Sequence, residues 1–145
     1  MNPFEMDVHF RWSDLDPNFH IRHSVYYDLC AQLRTMAFQN IGFSLEFFAK
    51  NKIGPVLFRE ECSFRKELHF GDAVKLKLEV IRLAKDGSRF SVVHYFMRDD
   101  VVCATLTIDG AFMNTELRKL TALPDEAIPF LNKIPKAEAF EWVTR

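Results

Sequence analysis

The stretch MDVHFRWSDLDPNFHIRHSVYYDLCAQLRTMAFQNIG (residues 6–42) changes its hydrophobic period once, and that change decides the fold. Met6, Val8, Phe10 and Trp12 alternate with Asp7, His9, Arg11 and Ser13, the period-2 pattern of a strand with one buried face. From Ser24 to Ile41 the apolar positions recur at three and four: Val25, Leu29, Leu33 and Met36, supported by Tyr26, Cys30 and Ala37. That spacing predicts a long helix with a broad apolar face, Ser24 as its N-cap and Gly42 as its stop. Between strand and helix lies a polar loop, DLDPNFHIRH (14–23), with two carboxylates, a Pro-Asn bend and two histidines.

Beyond the helix, SLEFFAKNKIG (44–54) reads as a short helix and loop, and then the period returns to strands. Pro55–Lys66 is one strand, HFGD (69–72) a turn, and Val74, Leu76, Leu78 and Val80 alternate with charged residues in the next. KDG (85–87) marks a hairpin into Arg89–Met97, apolar on both faces and therefore central. RDD (98–100) turns the chain into Val101–Met113, and Pro124, Asp125 and Glu126 mark a helix start. One long apolar helix beside an antiparallel sheet must bury its stripe against a sheet face, so the expected class is α+β. Its edge strands need protection, and pairing with a second subunit is one means.

At 145 residues, 48% of them hydrophobic and 15 of them Phe, the chain is expected to form a single domain, 1–145, with a packed core. The net charge is -1 and no basic stripe stands out, which argues against a nucleic-acid partner. No apolar run approaches the ~20 residues of a membrane span. The start, MNPFEMDVHF, lacks the basic and apolar segments of a signal peptide, so a cytoplasmic protein is expected. Cys30, Cys62 and Cys103 are odd in number and lie in apolar runs, as buried free thiols do.

The loop admits three readings. Asp14, Asp16, His20 and His23 could ligate a metal, although their spacing matches no standard ligand pattern. They could be turn punctuation, since Asp and Asn start turns and Pro fixes them. Or they could be chemistry: the loop enters a helix N-terminus, whose unpaired N–H groups and partial positive charge favour an anion. A carboxylate beside such an end makes a hydrolytic pair, with Asp as base or nucleophile and the N–H groups as oxyanion donors.

The run RWSDLDPNFHIRHSVYYDLCAQLR (11–34) resembles the opening of hotdog-fold acyl-CoA thioesterases of the 4-hydroxybenzoyl-CoA thioesterase type. Their pattern is a strand, D-x-D-x-x-x-H, a Tyr and an Arg, here Asp14, Asp16, His20, Tyr26 and Arg34. The resemblance continues through FRKELHFGDAVKLKLEV (64–80) and through the paired strands to the Pro-Asp step at 124–125. It implies a hotdog fold, a five-stranded antiparallel sheet wrapped around a long central helix, in homodimers or homotetramers with active sites between subunits. It also implies hydrolysis of an acyl-CoA or acyl-carrier-protein thioester, with coenzyme A as part of the substrate and no separate cofactor or resident metal. By position Asp16 matches the catalytic carboxylate, and the backbone N–H groups of His23 and Ser24 match the oxyanion donors. Asp14 becomes loop support, and His20 and Tyr26 candidate substrate contacts.

The chain departs from the pattern at Phe19, where many relatives have Gly, which implies a different loop backbone. Arg22 and His23 stand where small or amide residues are usual. Relatives with a catalytic Glu on the helix have no counterpart here, because no carboxylate lies between Asp28 and Glu46. These departures keep two alternatives open, a non-catalytic acyl-thioester-binding or assembly hotdog protein and a metal-dependent hydrolase. Arg59, Arg65, Lys66 and Arg89 are candidate contacts for nucleotide phosphates, and Phe47, Phe48 and Phe58 for an acyl chain. His69 and His94 read as structural histidines.

Overall fold

The computed structural model describes residues 2–144. Its elements are β1 (Glu5–Val8), α1 (His23–Ile41), α2 (Leu45–Asn51), β2 (Ile53–Phe64), β3 (Val74–Ala84), β4 (Arg89–Arg98), β5 (Val101–Asn114), β6 (Lys119–Leu120), α3 (Ile128–Leu131) and β7 (Lys136–Val143). The main path of the sheet runs β1-β3-β4-β5-β2, all antiparallel, with β6 added to β5 and β7 added parallel to β3. The 19-residue α1 lies on the sheet and contacts β3 and β5. This is the α+β arrangement of an antiparallel five-strand path beside a long helix, extended by β6 and β7 to a seven-stranded sheet.

Burial follows the periodicity. Val25, Tyr26, Cys30, Leu33, Ala37, Phe38 and Ile41 form the covered stripe of α1, each large side chain contributing roughly 1.5–3 kcal/mol. Met36, expected on that stripe, is exposed; Phe38 is buried instead. In β4 the residues Phe90 to His94 are all buried, as befits the centre of the sheet. His94 sits mid-strand with Nδ1 bonded to Leu106 O (2.8 Å) and Nε2 facing Arg34 Nη1 (3.3 Å). The guanidinium can only donate, so Nε2 is the acceptor and Nδ1–H donates to the carbonyl. Burial pulls the His94 pKa down to about 3, so the ring is neutral.

Turn chemistry sets the hairpins. Asp99 and Asp100 both have positive φ (51° and 65°), the two-residue reversal that matches strand twist. Gly42 ends α1 at φ 130°, and a Cβ there would lie 2.7 Å from the Phe130 ring, so both conformation and space demand glycine.

Three expectations need correction. The first strand stops at Val8, opposite Val74 where β3 begins, so later residues have no ladder to join. Asp14 instead captures the Arg11 amide (2.8 Å) and draws Trp12–Asp14 into a 3-10 turn, with Trp12 80% exposed. The N-cap of α1 is Arg22, not Ser24, because the Arg22 amide is tied to Asp14 O (2.7 Å) and Ser24 Oγ accepts from Arg22 Nε (2.8 Å). Finally, Lys136–Val143 forms a strand where the sequence pattern predicts none. The three cysteines are free thiols; Cys30 and Cys103 are buried, but Cys62 is only half-buried.

Candidate active site

The loop between β1 and α1 is held by a dense set of backbone bonds. Asp16 N donates to His20 O (2.8 Å) and Phe19 N donates to Asp16 O (3.0 Å), while Leu15 bridges Ile21. The Asp16 carboxylate caps its own turn: Oδ1 accepts the Asn18 and His20 amides (2.9 and 3.0 Å). Oδ2 takes part in no hydrogen bond among the described residues. To close this turn Phe19 adopts φ 65°, the left-handed conformation natural to glycine. The turn therefore takes a conformation natural to glycine although the residue is Phe.

Asp14 lies beneath this loop, buried, and accepts both the backbone and the guanidinium of Arg11 (2.8 and 3.0 Å). Burial alone would raise its pKa, but the Arg11 bonds and charge hold it below the usual carboxylate range. Arg22 straps the loop from above, its guanidinium donating to Ser13 O and Ser24 Oγ.

An open cleft of about 450 Å3 gathers Asp16, His20, His23 and Tyr26 with Phe64, Arg65, Lys66 and Glu67. Asp14 and Ser24 are not on its wall. The α1 N-terminus opens here without any acidic residue in its first turn. The Val25 amide is taken by Arg22 O (3.0 Å), whereas the His23 and Ser24 amides have no acceptor among the described residues. A carboxylate oxygen, a positive helix end and two cationic side chains thus share one cleft.

The imidazole of His20 meets Glu67 Oε2 (3.1 Å). Tyr26 is buried between Phe64 and Phe96, each ring centroid 4.9 Å away, and burial pushes its pKa up to about 12, so it stays a neutral phenol. Arg34 lies further along α1, beside His94 and Glu60. Of the proposed phosphate contacts, Arg65 and Lys66 line the cleft, whereas Arg59 pairs with Glu61 and Arg89 stacks over Phe58. Phe47 and Phe48 pack into an aromatic cluster around Phe43. His69, read from the sequence as structural, instead sits half-exposed beside His20 and Glu67. His20 reaches Glu67 and His69 across the pairing of residues 20–21 with 68–69, so no local spacing announces the cluster.

The family model of the thioesterase-like superfamily matches residues 10–132. None of the curated proteins matches the sequence. Among solved structures, the hypothetical protein SAV2348 from Staphylococcus aureus, solved in complex with CoA, is 16% identical with a TM-score of 0.82, over 95% of this chain and 89% of that one. BH1999, a gentisyl-coenzyme A thioesterase, is 18% identical with a TM-score of 0.74, over 88% and 98%. AQ1494, a hypothetical protein from Aquifex aeolicus, is 19% identical with a TM-score of 0.77, over 89% and 99%. With the family match spanning most of the sequence, and the fold shared across full lengths, this chain belongs to the thioesterase-like superfamily.

Proposed function

We propose that this protein hydrolyses a thioester of coenzyme A or of an acyl-carrier protein, with Asp16 as general base or nucleophile. The observation that carries the reading is the Asp16 carboxylate in a cleft shared with the free N-terminus of α1. Its Oδ1 is anchored by two amides, which aims the carboxylate and leaves Oδ2 for a water or a thioester carbonyl. The His23 amide, with that of Ser24 beside it, would stabilise the oxyanion as the carbonyl becomes tetrahedral. Arg65 and Lys66 line the same cleft and would meet the phosphates of a nucleotide carrier, a reading that the CoA complex of the similar S. aureus protein supports. Tyr26 and His20 bound the cleft, Tyr26 as an apolar wall. The free edge of β2, which exposes Leu57, Phe58 and Phe64, is the surface on which a second copy would pair.

The test is thiol release from short, long and aromatic acyl-CoAs by wild type and Asp16→Asn. The variant should fold normally and lose roughly 10²–10⁴-fold in kcat, the scale for removing a general base. Equal turnover by the two proteins would refute the role of Asp16. Tight acyl-CoA binding with no turnover by either would establish a binding protein instead.

A further inference from the structure

We propose that His20, Glu67 and His69 form a binding site for one divalent transition cation of the zinc class. The inference rests on these three side chains and not on the thioesterase reading. His20 Nε2 lies 3.1 Å from Glu67 Oε2, and His69 Nε2 lies 3.7 Å from that same oxygen. One donor atom from each residue falls within 4.8 Å of the other two. A tetrahedral cation with bonds of about 2.0–2.1 Å requires donors roughly 3.3 Å apart, so no pair of donors needs to close by more than about 1.5 Å.

The backbone already holds the ligands in place. Residues 20 and 69 form an antiparallel bridge, and the Ile21 amide donates to Leu68 O (3.0 Å). Glu67 is fixed from behind, its carbonyl accepting Arg98 Nη1 (2.9 Å). Asp72 Oδ2, itself held by the His69 amide (2.8 Å) and Arg98 (2.9 Å), faces His69 Nδ1 at 3.7 Å. A carboxylate behind one ring nitrogen leaves the other as metal donor, the outer-shell arrangement that orients metal-bound histidines. Two imidazoles and one carboxylate select zinc, copper or nickel over magnesium and calcium, which demand oxygen. Three protein ligands leave a coordination position for water, and His20 and Glu67 place the cation on the wall of the Asp16 cleft.

The experiment titrates untagged, chelator-treated protein with Zn²⁺ against a chromophoric chelator, and records the absorption of the Co²⁺ form. Wild type should bind one equivalent and give a four-coordinate Co²⁺ spectrum. Glu67→Gln and His69→Ala, both at exposed positions, should each lose that binding while retaining wild-type circular dichroism. Asp72→Asn should weaken it about 10–100-fold, the usual cost of removing an outer-shell partner. His9→Ala, at an exposed histidine outside the cluster, should leave it unchanged. No stoichiometric binding by wild type, or equal affinity in the Glu67 and His69 variants, would overturn the proposal. Because the readout is binding, it stands or falls separately from thioester turnover.

Discussion

Replacing Phe19 with glycine should stabilise the protein, whereas replacing it with alanine should not. Phe19 has φ 65°, a conformation that costs a residue bearing a Cβ about 1–2 kcal/mol. Glycine removes that cost but gives up about 0.5–1 kcal/mol through the greater freedom of its unfolded chain. The net advantage of glycine over alanine here is therefore about 0.75 kcal/mol at the centre of these ranges, opposite in sign to that at an ordinary position. The Phe19 side chain is 75% exposed, so truncation loses little packing. Whatever it does lose is common to both variants and cancels in the comparison. For a chain of this size the difference corresponds to a Tm gap of about 2–3 °C. Urea and thermal unfolding of Phe19→Gly and Phe19→Ala, measured side by side, decide the matter. If glycine is no more stable than alanine, the loop is not held in the left-handed turn and the account of Asp16 as its anchor fails.

Other measurements probe the groups beneath and behind the loop. Asp14→Ala strands the Arg11 amide and should cost about 1–3 kcal/mol in urea unfolding, with the whole β1–α1 connection loosened. Burial pulls the folded His94 pKa down to about 3 from the ordinary histidine value of 6.5, so its contribution is complete above pH 6.5 and is lost as pH falls toward 3. Between pH 6.5 and 5 that loss amounts to about 2 kcal/mol. His94→Gln should show a correspondingly flatter dependence, and parallel pH profiles for variant and wild type would contradict the buried neutral ring.

Residues 24–41 and the hairpin strands could be read from sequence because their burial is a one-sided matter of local period. Each residue's environment there follows from its neighbours at three, four or two. The sequence pattern overextends the first strand because its length is set by its partner: Phe10 and Trp12 continue the alternation, but β3 supplies no residues opposite them. β7 escapes the sequence pattern for a related reason. In KAEAFEWV the small and charged residues mask the alternation, and its ladder is a long-range parallel one to β3. At the site, the strand-loop-helix order singles out Asp16, His20, His23 and Tyr26, which do share a cleft. The neighbours that Glu67 and His69 provide arrive across the bridge between residues 20 and 69, which no single-sequence pattern encodes.

The two margins of the sheet differ in a way that bears on polymerisation. On one side β3 is flanked by β1 and β7, two short pieces running in opposite directions, which offer no continuous template to an incoming strand. On the other side β2 presents a single 12-residue edge. A molecule with one adhesive margin can join a second copy only by that same margin, and the union uses it up. Strand addition through β2 would therefore terminate at a pair, since the opposite side of the sheet offers a further copy no comparable edge.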